Sequence, residues 1–158
     1  MVIKVLALDL ECTLITNVIN KRARPGLKDF LQFCLDSFEK VVIYSGAGPE
    51  SVQLALEELE GAGLIPDDFL ARTEILAVEG WYKDLKLIEG YHPNESLIVD
   101  DYEDYIQPDQ KSQWIPIQPY HRGEEDDYWT KSKAHPPDPD DPDRELLRVK
   151  EIIKERLG

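Results

Sequence analysis

Cysteine and histidine are scarce in this chain of 158 residues, which has two of the former and three of the latter. Cys12 and Cys34 form no Cys-x-x-Cys motif, and the histidines show no metal-ligand spacing, so the sequence does not favour a zinc site. Positions 18 and 40 are Val18 and Lys40, so neither cysteine has the Cys-x5-Arg spacing that thiol-dependent phosphatases use.

Long apolar runs are also missing. The amino terminus reaches the acid Asp9 before a secretory apolar region could form, and no stretch has the length of a transmembrane helix. Together with the low cysteine content, this predicts a cytoplasmic protein with reduced thiols and no membrane partner.

Positively charged residues are also few. The chain has 18 lysine and arginine residues and 32 acidic residues, which gives a formal net charge of −14. Such a charge repels nucleic acid and anionic membranes at long range, so a nucleic-acid partner is not expected. The length predicts one globular domain with a proper core.

Polar residues follow three short apolar runs. The run that begins at Ile3 leads to Asp9 and Glu11, residues 41–44 lead to Ser45, and residues 97–99 lead to Asp100 and Asp101. Short apolar runs of this kind are typical of buried parallel strands, whose carboxyl ends lie along one edge of the sheet. The carboxylates should therefore cluster there, and hard oxygen ligands favour Mg²⁺.

The intervening segments predict helices and two further strands. Apolar spacing indicates helices over 27–39 and about 49–60, and the start of the second, with Ser45 and Gly46, would offer a hydroxyl and amides to a phosphate. Residues 70–78 are β-rich, and a turn at 79–80 predicts a hairpin that returns through 81–82 and delivers Lys83. A short helix over 84–89 and a fourth parallel strand over 114–117 follow.

The last part of the chain differs in composition. Residues 121–143 contain four prolines and many acids, and such a segment cannot bury enough apolar surface to order itself. We therefore predict a domain over 1–120, an acidic Pro-rich loop or linker over 121–143, and an amphipathic helix over 144–158 that packs back on the domain. A partner-binding helix on a flexible arm is the alternative.

The segment Asp-Leu-Glu-Cys-Thr-Leu at 9–14 resembles the first motif of the haloacid dehalogenase (HAD) superfamily, usually Asp-x-Asp-x-Thr. Ser45 matches the second motif, Lys83 the third, and Asp100-Asp101 the fourth. Three further segments are similar to those of the NLI-interacting-factor-like phosphatases, the FCP/SCP group. They are Arg24-Pro25-Gly26, Lys83-Asp84-Leu85 and the Ile-Pro-Ile core of 112–119. This likeness covers roughly residues 3 to 120.

The resemblance implies an α/β HAD-like (Rossmannoid) parallel sheet flanked by helices, and the segments between the motifs leave no room for a cap domain. It implies a Mg²⁺-dependent phosphatase in which Asp9 forms an aspartyl-phosphate and Glu11 acts as acid and base. Ser45, Gly46 and Lys83 would bind the phosphate. The metal would be held by Asp9, residue 11, and Asp100 or Asp101. An open site suits a macromolecule such as a phosphoprotein carrying phosphoserine or phosphothreonine.

Glu11 is the main departure from the family pattern, which has Asp there. An extra methylene displaces the carboxyl by more than ~1 Å, and acid–base help is worth roughly 10²–10⁴-fold. The alternative function is therefore a catalytically impaired binding module on the same fold. A phospho-accepting receiver domain is disfavoured by the order of the motifs.

Overall fold

The computed structural model describes residues 2–121 and 133–158. Its strands are β1 (Val5–Leu8), β2 (Lys40–Ser45), β3 (Thr73–Ala77), β4 (Ser96–Asp100) and β5 (Trp114–Pro116). Its α-helices are α1 (Leu27–Ser37), α2 (Pro49–Gly61), the single turn α3 (Phe69–Arg72) and α4 (Glu145–Leu157). Short 3-10 segments span Leu85–Leu87, Pro93–Glu95, Glu103–Tyr105 and Pro108–Gln113.

The strands form one parallel sheet in the order β3-β2-β1-β4-β5. β1 lies at the centre, and all four of its residues are buried because strands cover both of its edges and side chains cover both of its faces. The register aligns Leu8 with Ile43 of β2 and with Val99 of β4. The residues that follow these three positions therefore emerge side by side at the carboxyl edge.

Alternate residues of the strands build two separate cores. Leu6 and Leu8 face the larger core, to which α1, α2 and α4 contribute their apolar sides. Val5 and Ala7 face the smaller core, which is closed by the segments that contain Leu85, Ile88 and Ile106. The α/β architecture predicted from the sequence is confirmed, and no cap domain interrupts the described part of the chain.

The predicted hairpin after residue 70 is wrong. Residues 69–72 form the turn α3, and the β-rich segment is the single strand β3, which pairs in parallel with β2. Trp81, expected on a return strand, is 70% exposed in an irregular segment. The short helix predicted over 84–89 is also shorter than expected, because only Leu85–Leu87 form a 3-10 turn.

Part of the acidic Pro-rich stretch is described. Residues 122–132 lie outside the described residues, whereas 133–143 form no regular helix or strand and run beside the loop that follows β1. The amide of His135 donates to the carbonyl of Lys21 (2.9 Å), and its carbonyl accepts from the amide of Ala23 (2.8 Å). These backbone bonds connect the segment to that loop.

Helix α4 packs with α1 on the larger core. Leu146, Val149 and Ile153 are buried at helical spacing, next to Phe30 and Cys34 of α1. No helix of the described residues is long and apolar enough to cross a lipid bilayer.

Candidate active site

The carboxyl edge of the sheet brings the end of β1 between the ends of its two neighbours. Asp9 follows β1 directly, and its amide donates to the carbonyl of Val99 (3.0 Å). Ser45 is the last residue of β2, and Asp100 is the last residue of β4. Asp9 is 6% exposed, whereas Asp100 is completely buried, so the two carboxylates lie at the floor of the site.

Lys83 joins these two carboxylates. Its Nζ donates to Oδ1 of Asp9 (2.8 Å) and forms a second, short bond to Oδ2 of Asp100. The lysine is placed by its own amide, which donates to the carbonyl of Tyr105 (2.7 Å) in a bridge between Lys83 and Ile106. The chain therefore brings Lys83 to the site through this bridge and not through the expected hairpin.

The electrostatics of the three groups are set by burial and by one another. Burial raises the pKa of Asp9 to about 6, and Lys83 opposes that rise. Burial and then the charge of Asp9 raise the pKa of Asp100 to about 6, again against the effect of Lys83. Burial alone would lower the pKa of Lys83, but the two neighbouring carboxylates outweigh it, so this pKa lies above its ordinary value. One cation thus balances only part of the negative charge.

A third carboxylate lies close to these two. Carboxylate oxygens, one each from Asp9, Asp100 and Asp101, lie within 4.8 Å of one another, so the three residues could hold a metal ion. The hydroxyl of Thr13 lies between two of them, 2.8 Å from Oδ2 of Asp9 and 3.3 Å from Oδ1 of Asp101.

The Glu11 side chain lies outside this set. Its Oε2 accepts a hydrogen bond from the amide of Val18 (2.9 Å), in the loop that follows β1. The carboxylate still lines the cleft with Asp9, although it is oriented by the loop and not by the other acids. The backbone turns sharply at the next residue, Cys12, whose φ is +62°.

Ser45 forms the opposite side of the site. Ser45 is almost completely buried, and its Oγ accepts from the amide of Ala47 (3.1 Å), so the hydroxyl proton stays available to donate to a ligand. Gly46 lies beside it on the cleft wall, and α2 begins at Pro49. The Ala47 amide is thus already used within the protein, whereas the hydroxyl offers a donor.

These residues line one cleft of about 460 Å³. Every residue predicted from the sequence for the site borders it, apart from Asp100, which lies beneath the cleft and contacts it through Lys83. Cys12, Ala47, Tyr102 and Tyr105 complete the wall. The sequence patterns assign no role to Thr13 or to the two tyrosines, although Thr13 occupies the threonine position of the first motif.

A buried arginine supports the loop after β1. Arg24 is completely buried, and its Nε and Nη2 contact both carboxylate oxygens of Asp143 at 2.9 and 3.0 Å. Its Nη1 donates to the carbonyl of Thr13 (3.1 Å), and its guanidinium lies 5.2 Å from the ring centre of Tyr120. The hydroxyl of Tyr120 in turn donates to Asp141 (2.8 Å). The motif threonine is therefore connected to the segment that precedes α4.

Comparison with protein families identifies the family of the chain. The model of the family described as NLI interacting factor-like phosphatase matches residues 4–157, from the residue before β1 to the last residue of α4. None of the curated proteins compared with the chain matches it.

Proposed function

Because the chain belongs to the family of NLI interacting factor-like phosphatases, we propose that it hydrolyses phosphomonoesters with Mg²⁺ through an aspartyl-phosphate on Asp9. One observation carries the proposal. Asp9 lies at the floor of an open cleft, held by Lys83 on one oxygen and by Thr13 on the other, in reach of two more carboxylates. A nucleophile needs this kind of fixed orientation toward the phosphorus.

The acidic trio fits the metal that the family implies. Asp9, Asp100 and Asp101 supply only oxygen ligands, and their negative charge exceeds the one positive charge of Lys83. These residues would hold Mg²⁺, together with the carbonyl of residue 11. When bound, the ion would neutralise phosphate charge and let the anionic nucleophile approach an anionic substrate.

Phosphate binding falls to the two sides of the cleft. The Ser45 hydroxyl donates from one wall, and the ammonium of Lys83 is the cation at the floor. Gly46 lets a phosphoryl group approach the backbone beside Ser45 closely, because it has no side chain. Together these groups would stabilise the charge that spreads over the phosphoryl oxygens in the transition state.

Proton transfer falls to Glu11. In the first step an oxygen of Asp9 bonds to phosphorus while the bond to the leaving oxygen breaks, and that oxygen takes the proton of Glu11. In the second step Glu11 takes a proton from water, whose oxygen attacks phosphorus and releases inorganic phosphate and the Asp9 carboxylate. The bond from the Val18 amide fixes the longer glutamate side chain for this role.

The open cleft favours a large substrate. No domain covers it in the described part of the chain, so a phosphorylated side chain on a protein surface could enter. We therefore propose phosphoserine or phosphothreonine in a protein as the substrate.

The first experiment is hydrolysis of p-nitrophenyl phosphate with and without Mg²⁺. Wild type should turn over only with the metal, and Asp9→Asn should fall to the rate of buffer because the nucleophile is lost. Asp36→Asn, the same change at an exposed position of α1, is the control and should keep the wild-type rate. Undiminished turnover in a folded Asp9→Asn protein contradicts the proposal.

Glu11 separates the proposed enzyme from the binding module. We expect Glu11→Gln to lower the rate by about 10²–10⁴-fold, because acid–base help is removed. Glu11→Asp should also be slower, since the shorter side chain cannot reach both the Val18 amide and the leaving oxygen. A silent wild type that becomes active as Glu11→Asp would instead identify a protein whose native role is binding.

A further inference from the structure

Two tyrosines stand side by side at the mouth of the cleft. Tyr102 and Tyr105 are 49% and 45% exposed, and their ring centres lie 4.7 Å apart with a tilt of 50°. Both border the same cleft as Asp9, so a group attached to a phosphate in that cleft can contact them. The mechanism proposed above uses neither ring.

The same bonds that build the site also fix this pair. The amide of Tyr102 donates to Oδ1 of Asp100 (2.9 Å), and the carbonyl of Tyr105 accepts from the amide of Lys83 (2.7 Å). Ile106, the next residue, is buried in the smaller core. The backbone that carries the two rings is therefore held by hydrogen bonds to Asp100 and Lys83.

The residues between the rings are acidic. Glu103 and Asp104 are exposed in the 3-10 turn that joins the two tyrosines, and neither carboxylate forms an ion pair with the described residues. Lys111 lies nearby, and its Nζ donates to the backbone carbonyl of Glu103 (2.8 Å). Two rings and two carboxylates thus form a rim, which we call the Tyr-acid rim (residues 102–105).

We propose that the Tyr-acid rim binds an arginine side chain of the substrate, next to the phosphorylated residue. A guanidinium is flat enough to stack on a tyrosine ring and carries several N–H donors for carboxylates. A lysine ammonium is not planar and cannot donate two parallel hydrogen bonds to a carboxylate. A neutral aromatic side chain of the substrate could stack on the tyrosines, but it would give the two carboxylates no cation to pair with. Tyr105 already accepts a cation, since Nζ of Lys83 lies 5.9 Å from its ring centre.

The charge of the whole chain favours the same ligand. A net charge of −14 attracts basic peptides and disfavours acidic ones. This inference rests on the proposed phosphatase function, and it narrows the substrate to phosphoproteins with arginine beside the phosphorylated residue.

The experiment compares phosphoserine peptides that differ at one residue. The varied positions are the two residues before and the two residues after the phosphoserine. Each position carries in turn arginine, lysine, alanine, phenylalanine or glutamate, and the rate of phosphate release gives kcat/KM. Wild type should prefer arginine to alanine by about 5- to 30-fold at one position at least, which is the range expected for a cation that stacks and pairs.

Matched variants test whether the rim is responsible. Tyr102→Leu with Tyr105→Leu removes the rings but keeps apolar side chains, and Glu103→Gln with Asp104→Asn removes the charge. Each pair should reduce the preference for arginine to less than about twofold. Glu57→Gln with Glu58→Gln, an equal loss of charge on the exposed side of α2, should leave the preference as it is.

Each remaining outcome is decisive. The inference is overturned if wild type prefers phenylalanine to arginine or shows no preference at all. It is also overturned if the preference for arginine survives in both rim variants. A preference lost equally in the α2 control shows attraction by overall charge and overturns it as well. If neither the peptides nor p-nitrophenyl phosphate is hydrolysed, the proposed function fails, and the affinities of Asp9→Asn protein for the arginine and alanine peptides then test the rim separately.

Discussion

At the scale of single residues, Arg24 is the buried side chain that supports the loop after β1. Its guanidinium is removed from water, so each donor must find an acceptor inside the protein. Asp143 and the carbonyl of Thr13 supply those acceptors. Since the Thr13 hydroxyl contacts Asp9, the position of the proposed nucleophile is linked to Arg24 through one residue.

We predict that Arg24→Lys lowers the free energy of unfolding by about 3 kcal/mol, because lysine cannot form the bidentate contact and leaves a partly buried carboxylate poorly paired. Urea denaturation measures this. Arg72→Lys, at an exposed pair with Asp68, should cost less than about 1 kcal/mol. Equal costs at the two positions would show that the buried contact has no special weight.

Some site residues could be predicted from the sequence, because each comes directly after an apolar run that forms a strand. Asp9, Ser45 and the pair Asp100-Asp101 each follow an apolar run, and the parallel sheet then brings their positions together. The partner of Arg24 is different, because Asp143 lies 119 residues further along the chain. No local pattern distinguishes an arginine with such a partner from one on the surface.

At the scale of elements, α4 is stabilised by its contact with α1. Leu146 is 1% exposed in the larger core, whereas its neighbour Leu147 is 56% exposed. The two leucines are the same side chain in the same helix, so they isolate the contribution of burial.

We predict that Leu146→Ala costs about 2–5 kcal/mol of unfolding free energy, the usual cost of a leucine deleted from a core. Leu147→Ala should change it by no more than about 0.5 kcal/mol. Thermal or urea unfolding of the two variants decides between a packed helix and a free arm. A free arm would make both changes small.

The same scale shows where sequence patterns reach their limit. Apolar periodicity located α1, α2 and the strands β1, β2 and β4 to within a few residues, because their burial repeats at a fixed interval. It failed at residues 70–82, where a β-rich run and a turn signal favoured a hairpin. Strand β3 pairs with β2 instead of with a return strand. The strand that β3 pairs with is determined by the arrangement of the whole sheet, which a local sequence pattern does not contain.

At the scale of the whole molecule, the negative charge concentrated in the cleft should couple metal binding to folding. A ligand that binds only the folded chain stabilises it by about 2.7 kcal/mol at a hundredfold excess over its Kd. For a domain of this length, that amounts to a rise of about 5–10 °C in Tm.

We therefore predict that excess Mg²⁺ raises the Tm of wild type by this amount, and that Asp101→Asn loses most of the rise because one ligand is removed. Asp36→Asn should keep it. Differential scanning calorimetry in the presence and absence of Mg²⁺ gives the answer without any substrate. An equal rise in Asp101→Asn would place the ion elsewhere.

The two outer strands have a consequence for behaviour at high concentration. An open sheet can recruit a strand from another copy at its edges and so begin to aggregate. β5 has three residues, its last is Pro116, and the carbonyl of that proline already accepts from Arg148 (3.0 Å). At the other edge, β3 carries Glu74, paired with Lys40. Both borders are thus protected against the addition of a further strand, so the fold keeps an open cleft at one end of its sheet while its sides discourage self-association.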